Sequence, residues 1–155
     1  MRRVVVDASA LAALAFNEPG AEDIARRLEG ADVHAPTLLC YELANVAWKK
    51  ARRDPSATPS ILRAVAEALD EGGGIAWCQV PAADAALLAL ATGLTAYDAA
   101  YVWLAGLLGA DLVTLDRRVA EAPSPTDRLP WKHYAAPGAG AGSAGGQDMR
   151  EPGSS

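Results

Sequence analysis

Cysteine is scarce in this 155-residue chain: Cys40 and Cys78 lie in apolar segments, without the spacing of a metal site. A disulfide framework and a thiolate metal centre are thereby excluded, and the two side chains are expected to be buried thiols in a reducing cytoplasm. His34 and His133 each stand alone in the sequence, so neither suggests a catalytic or metal-ligating pair. Aromatic residues make up only 6% of a chain that is 51% hydrophobic, so the interior must be built from Ala, Leu and Val. Long apolar runs are also missing. The stretch AAYVWLAGLLGADLVTL meets Asp111 after about a dozen residues, where a membrane span needs roughly 20. Arg2 and Arg3 precede only Val4 to Val6 before Asp7 interrupts, too short for a secretion signal. A cytoplasmic protein without membrane contact is expected. Positive charge is in deficit, with 14 Lys and Arg against 19 Asp and Glu and a net charge of −5. Any nucleic-acid partner must therefore be held by a local basic patch.

What is present is an alternation of short apolar runs with helical patterns. Arg3 to Asp7 reads as a strand buried on both faces, the kind a parallel sheet needs. Leu11 to Phe16 and Ala21 to Leu28 read as helices separated by Pro19-Gly20, and Asp32 to Ala35 as a second strand. Pro36 is expected to start a long helix that stops before Asp54-Pro55. A helix from Pro59 to Leu69 ends at the glycines 72 to 74, a third strand covers Ile75 to Val80, and Pro81 opens a helix through Leu90. Thr95 to Leu108 is a further helix, Leu112 to Leu115 a fourth strand, and Arg117 to Ala120 one helical turn. A weak last strand is expected near Trp131 to Tyr134. This order predicts an α/β sandwich with a mostly parallel sheet, in a single domain over residues 1–136. Residues 137–155 hold six of the chain's 14 glycines and are expected to form a flexible tail.

Acids fall at telling places on this framework. In open parallel sheets, sites form beyond the carboxyl ends of the strands. VVVD ends on Asp7 and LVTLD on Asp116, while Glu42 and Asp98 lie in the first turns of two helices. All four acids are expected on one rim of the sheet. Each also has a structural reading: Asp7 and Asp116 as N-caps, Asp98 within a capping box opened by Thr95, Glu42 as a solvent-facing charge. The long helix speaks against the last. Its apolar residues occupy much of its circumference, whereas Glu42, Asn45 and Lys49 share one stripe, from which Asn45 can reach the Asp7 carboxylate. Four carboxylates packed together repel one another unless protonated or bound to a cation. Oxygen ligands alone select Mg²⁺ or Mn²⁺. Two such ions about 4 Å apart would clamp a phosphodiester and activate a water.

VVVDASAL, PTLLCYELANVAWK, LTAYDAAYVWLA and LVTLDRRV, in that order and at those separations, resemble the PIN domain, and within it the VapC ribonuclease toxins of bacterial toxin–antitoxin pairs. The likeness runs from about Val4 to Ala120. It implies a PIN-like three-layer sandwich with a mostly parallel central sheet flanked by helices. It also implies that Asp7, Glu42, Asp98 and Asp116 are the catalytic and metal-binding acids, with Asp7 and Asp98 central and Asp116 acting through a second metal or bound water. Ser9 and Thr114 match the hydroxyl positions that support the acids, and Asn45 a polar helper. The implied activity is endoribonuclease action with one or two Mg²⁺ or Mn²⁺ ions. The implied partners are RNA, a cognate VapB-type antitoxin and a second copy of the chain.

Lys49 and the pair Arg117-Arg118 are the candidate phosphate contacts. Lys50, Arg52 and Arg53 extend the same basic helix end, a placement the helix dipole alone would also favour. Tyr101 and Trp103 fit core or dimer contacts, and Leu11, Leu14 and Phe16 either core or an antitoxin groove. Two other classes fit less well. An aspartyl-phosphate phosphotransfer enzyme would want a second acid where Ser9 stands, and a metal-free PIN-like binding module would not need all four acids.

Overall fold

The computed structural model of the protein describes residues 1–70 and 73–122. The strand expected at residues 131–134, His133, and the tail over residues 137–155 lie outside that range. Strand β1 (Arg3–Val6) is the centre of the fold, and Val4, Val5 and Val6 are fully buried. Branching at Cβ suits these residues to a pleated strand covered on both faces. β1 pairs in parallel with β2 (Asp32–Pro36) on one side and with β4 (Asp111–Val113) on the other. β3 (Ile75–Cys78) pairs in parallel with β2, which gives the order β3-β2-β1-β4.

Helices make every crossover, as parallel strands require. α1 (Ala8–Ala15) and α2 (Ala21–Leu28) join β1 to β2. α3 (Leu38–Arg53), a 3₁₀ turn at Pro55–Ala57 and α4 (Thr58–Leu69) lead to β3. α5 (Ala82–Thr92) and α6 (Ala96–Leu108) lead back across the sheet to β4, and α7 (Arg117–Ala120) follows. The architecture is the expected α/β sandwich, with a parallel four-stranded sheet flanked by seven helices among the described residues. Chain order runs outward from β1 to β3 on one side and then reverses to β4 on the other. The switch point therefore lies between the carboxyl ends of β1 and β4, the place where such sheets open a crevice.

The core joins the three valines to Leu39, Leu43, Leu88, Trp103, Leu104 and Val113. Leu11 belongs to it, and Leu14 and Phe16 pack against it. The long apolar stretch resolves into α6, which is buried over Ala99–Ala105, and β4. Among the described residues no single helix is long and apolar enough to cross a membrane.

Several local expectations are corrected. α1 starts at Ala8, three residues before the expected Leu11, because the Asp7 carboxylate accepts from the Ala10 N–H and caps it. Pro36 closes β2 instead of opening α3. It pairs with Cys78 beyond the last residue that β1 contacts, so its missing N–H interrupts no ladder on the β1 side. β3 ends at Cys78 and β4 at Val113, two residues short of each expected end, and Leu115 is exposed. α3 buries a single face, Leu39, Leu43 and Ala47, while Tyr41 and Trp48 are exposed. Its polar stripe therefore borders an ordinary half-buried helix. Both cysteines are free, and both are half-buried rather than buried.

Candidate active site

At the switch point lies a cleft of about 280 Å³ lined by Asp7, Glu42, Asp98 and Asp116, together with Ser9, Asn45, Lys49 and Tyr101. All four sequence-predicted acids are thus brought together from β1, α3, α6 and the turn after β4.

Asp7 is the floor of the cleft and only 6% exposed. Burial raises its pKa above the ordinary carboxylate range, the hydrogen bonds from Thr114, Ala10 and Ser9 work against that rise, and the nearby Asp116 adds to it. Ser9 Oγ donates to Asp7 Oδ1 at 2.7 Å, and the Ala10 N–H donates to the same oxygen at 3.0 Å. Thr114 Oγ1 donates to Asp7 Oδ2. Both hydroxyls also accept: Ser9 from the Leu115 N–H at 3.0 Å, and Thr114 from the Asp116 N–H at 2.9 Å. The ends of β1 and β4 are thereby tied through one carboxylate. Asn45, expected to reach Asp7, lines the same cleft from α3, but the bonds to Asp7 come from Ser9, Ala10 and Thr114.

Asp7 also caps α1, and Asp116 caps α7 by accepting from the Arg118 N–H at 2.9 Å. Thr95 Oγ1 accepts from the Asp98 N–H at 3.1 Å, which fixes the first turn of α6. The capping and site readings are therefore compatible: capping holds the Asp7 and Asp116 carboxylates at element ends that face the cleft, and Thr95 fixes the turn that carries Asp98.

Glu42 does not point freely to solvent. Tyr101 Oη donates to Glu42 Oε1 at 2.9 Å. Burial raises the Glu42 pKa, the Tyr101 hydroxyl opposes the rise, and Asp98 and Asp7 reinforce it. The same burial and the three acids around it push the Tyr101 phenol far above its usual value, so it stays a donor. Sequence reasoning placed Tyr101 in the core or at a dimer contact and missed this role. It is indeed 1% exposed, but its hydroxyl reaches the site. The signal was its position three residues after Asp98, on the same helical face.

Lys49 lines the cleft from the helix that carries Glu42, and among the described residues it is the cleft's single ammonium against four carboxylates. Arg117 and Arg118 do not line it. Both are exposed, and Arg117 pairs with Glu121 at 3.5 Å.

A hard divalent cation suits this donor set. The ligands on offer are oxygens, and their mutual repulsion is what a divalent charge would relieve. As the side chains stand, no three Asp, Glu, His or Cys groups among the described residues converge on one ion position. Mg²⁺ does not require this, since it is usually held by one or two carboxylates and keeps several waters.

Comparison with known proteins agrees with this geometry. The PIN domain family profile matches residues 4–124. Ribonuclease VapC3 of Pyrobaculum aerophilum is 41% identical over 123 residues, which cover 77% of this chain and 93% of that protein. The crystal structure of PAE2754, also from Pyrobaculum aerophilum, superposes with a TM-score of 0.62 at 29% identity, over 76% of this chain and 82% of its own. Sheet topology, the acids at the switch point and the extent of these matches lead to one assignment: the chain belongs to the PIN-domain family, in its VapC-type branch.

Proposed function

We propose that this protein is a Mg²⁺- or Mn²⁺-dependent endoribonuclease, the toxin of a toxin–antitoxin pair. The observation that carries this reading is the cleft itself: four carboxylates from four separate elements, with Asp7 raised in pKa by burial and by Asp116, and Glu42 by burial, Asp98 and Asp7. Gathering four carboxylates costs mutual repulsion that a bound divalent cation would relieve. The VapC3 relative's name, Ribonuclease VapC3, supports RNA as the substrate.

Asp7 and Asp98 are the proposed central ligands, Glu42 stands beside them, and Asp116 acts through a second ion or bound water. A divalent ion bound there would stabilise charge building on the phosphate and acidify a water for in-line attack. The chain's own groups do the positioning. Ser9 and Thr114 hold both oxygens of Asp7, Tyr101 holds one oxygen of Glu42, and Asn45 offers a neutral polar contact on the wall. Lys49 meets a phosphate at the rim, with Arg117 and Arg118 as outer contacts beside Asp116. The proposed setting is cytoplasmic, with a VapB-type antitoxin as inhibitor and a homodimer as the assembly. The catalytic domain is taken as residues 1–136 and the glycine-rich residues 137–155 as a flexible tail.

The test is cleavage of single-stranded RNA with Mg²⁺ or Mn²⁺, with EDTA, and with a folded Asp98→Asn variant. Cleavage that needs the metal and disappears in the variant supports the reading. Cleavage retained in Asp98→Asn removes the site.

A further inference from the structure

A second hollow of about 390 Å³ adjoins the acidic cleft, lined by Trp48, Lys49, Arg52 and Arg53 at the end of α3. Lys49 lines both cavities, so the two are continuous along one helix. Their chemistry is opposite. The cleft gathers four carboxylates, whereas the hollow is lined among the described residues by three cations and an indole and by no acid. Lys50, at the same helix end, is engaged elsewhere: it pairs with Glu18 and lies 4.9 Å above the Phe16 ring. Arg52 lies 4.9 Å above the Trp48 ring, yet Trp48 remains 54% exposed. A large aromatic surface is thus held out in water, next to Lys49 and Arg53, which form no ion pair among the described residues.

We propose that this hollow binds a nucleotide of single-stranded RNA flanking the scissile phosphate, with its base stacked on Trp48 and its phosphates held by Arg52, Arg53 and Lys49. The proposal deepens the nuclease reading and rests on it for the identity of the ligand. Charge complementarity selects the occupant. A phosphate strand approaching the four acids is repelled except at bound cations and at Lys49, and this hollow extends the positive charge of Lys49 with Arg52 and Arg53. Glu42 and Arg53 lie 11 residues apart on α3, about 16 Å along the helix axis at its usual rise. A strand that meets the cleft and continues over Lys49 arrives at Trp48 within a few nucleotides. An indole accepts the π-face of any base, so the subsite selects for an unpaired strand without selecting sequence. A base-paired strand keeps its bases stacked in the helix and cannot use it.

Binding of a labelled oligouridylate decamer, followed by fluorescence anisotropy, tests this in the Asp98→Asn background, where the strand should stay intact. Adding Trp48→Ala should weaken binding about tenfold, the loss of one base–aromatic stack. Trp48→Phe should restore most of it. A ten-base-pair RNA duplex, whose bases stay stacked in the helix, should bind equally in all three proteins. Arg52→Ala with Arg53→Ala should weaken decamer binding and flatten its salt dependence. Equal decamer affinity in Trp48→Ala and its parent overturns the subsite, and so does an equal loss for the duplex. If Trp48→Ala leaves RNA binding intact but abolishes self-association in light scattering, Trp48 is a contact between copies and the proposal fails. If the parent binds the decamer through Trp48 but the wild-type protein never cleaves it, the subsite stands and the nuclease reading falls.

Discussion

The two walls of the acidic cleft are built differently. On the β1–β4 side, Asp7 is held through both oxygens by two hydroxyls and a backbone N–H, and those hydroxyls accept from further backbone N–H groups. On the α3–α6 side, one bond from Tyr101 orients Glu42. Among the described residues, Asp98 enters hydrogen bonding there only through its backbone N–H. One wall is preorganised, and the other leaves carboxylate oxygens open to a ligand. Enzymes that position charged groups need both properties: a fixed anchor against which geometry is defined, and open donors that bind.

Breaking the contrast at its centre should have the largest effect. Asp98→Asn or Asp7→Asn should lower RNA cleavage by at least about 1000-fold, the scale of losing several kcal/mol of transition-state stabilisation. Single-turnover cleavage alongside a circular-dichroism melt would separate chemistry from folding. Next comes the anchored wall. Thr114→Val keeps the shape but removes the donor to Asp7 and the acceptor of the Asp116 N–H, so it should destabilise by about 1–3 kcal/mol. The same change should reduce activity about 10- to 100-fold. Urea denaturation and initial cleavage rates measure the two effects.

The open wall should be more tolerant. Tyr101→Phe removes only the hydroxyl bonded to Glu42, so Mn²⁺ affinity should fall by about tenfold, at the mild end of supporting-residue effects, with the fold intact. Calorimetric Mn²⁺ titration distinguishes this from a structural loss, which would lower stability and leave affinity unchanged.

The smallest effect is on pH dependence. In metal-free protein Asp7 and Glu42 titrate above their ordinary values, so between the ordinary and raised values the folded state binds more protons than the unfolded state. Stability therefore falls as pH rises through that window and recovers as pH drops back through it. The exposed Asp54, lowered by its Ser56 hydrogen bond, acts the other way, but only below the ordinary carboxylate range. Melts of metal-free protein should show Tm rising as pH is lowered from neutral toward the ordinary carboxylate range. Glu42→Gln should flatten part of that rise, and a Tm that falls over the same interval would contradict the shifts.

Much of this was legible in the residues. Val4–Val6 running into Asp7 announces a buried parallel strand ending at a site, and Gly109 after α6 marks that helix's end because its φ of +58° lies in the left-handed region. The Glu42–Asn45–Lys49 stripe correctly marked the wall of a cleft. Other features depended on tertiary contact. Tyr101 reads as one more apolar residue until the fold brings α3 beside α6 and gives its hydroxyl a carboxylate. Pro36 reads as a helix start until its pairing with Cys78 shows that β2 runs through it. Arg117 and Arg118 follow Asp116 directly in sequence, yet their side chains leave the cleft because Asp116 caps the short helix that carries them. Trp48 gave no signal from periodicity, since its meaning lies in exposure.

The central claim is that the acidic cleft binds a divalent ion with Asp7 and Asp98 as its central ligands, and direct Mn²⁺ binding to the folded protein at neutral pH tests it. Calorimetry should show saturable binding that is lost in Asp7→Asn, weakens as pH falls and the acids protonate, and is competed by Mg²⁺. A folded wild-type protein that gives no saturable binding at millimolar Mn²⁺, or binds it equally well without Asp7, would contradict the account.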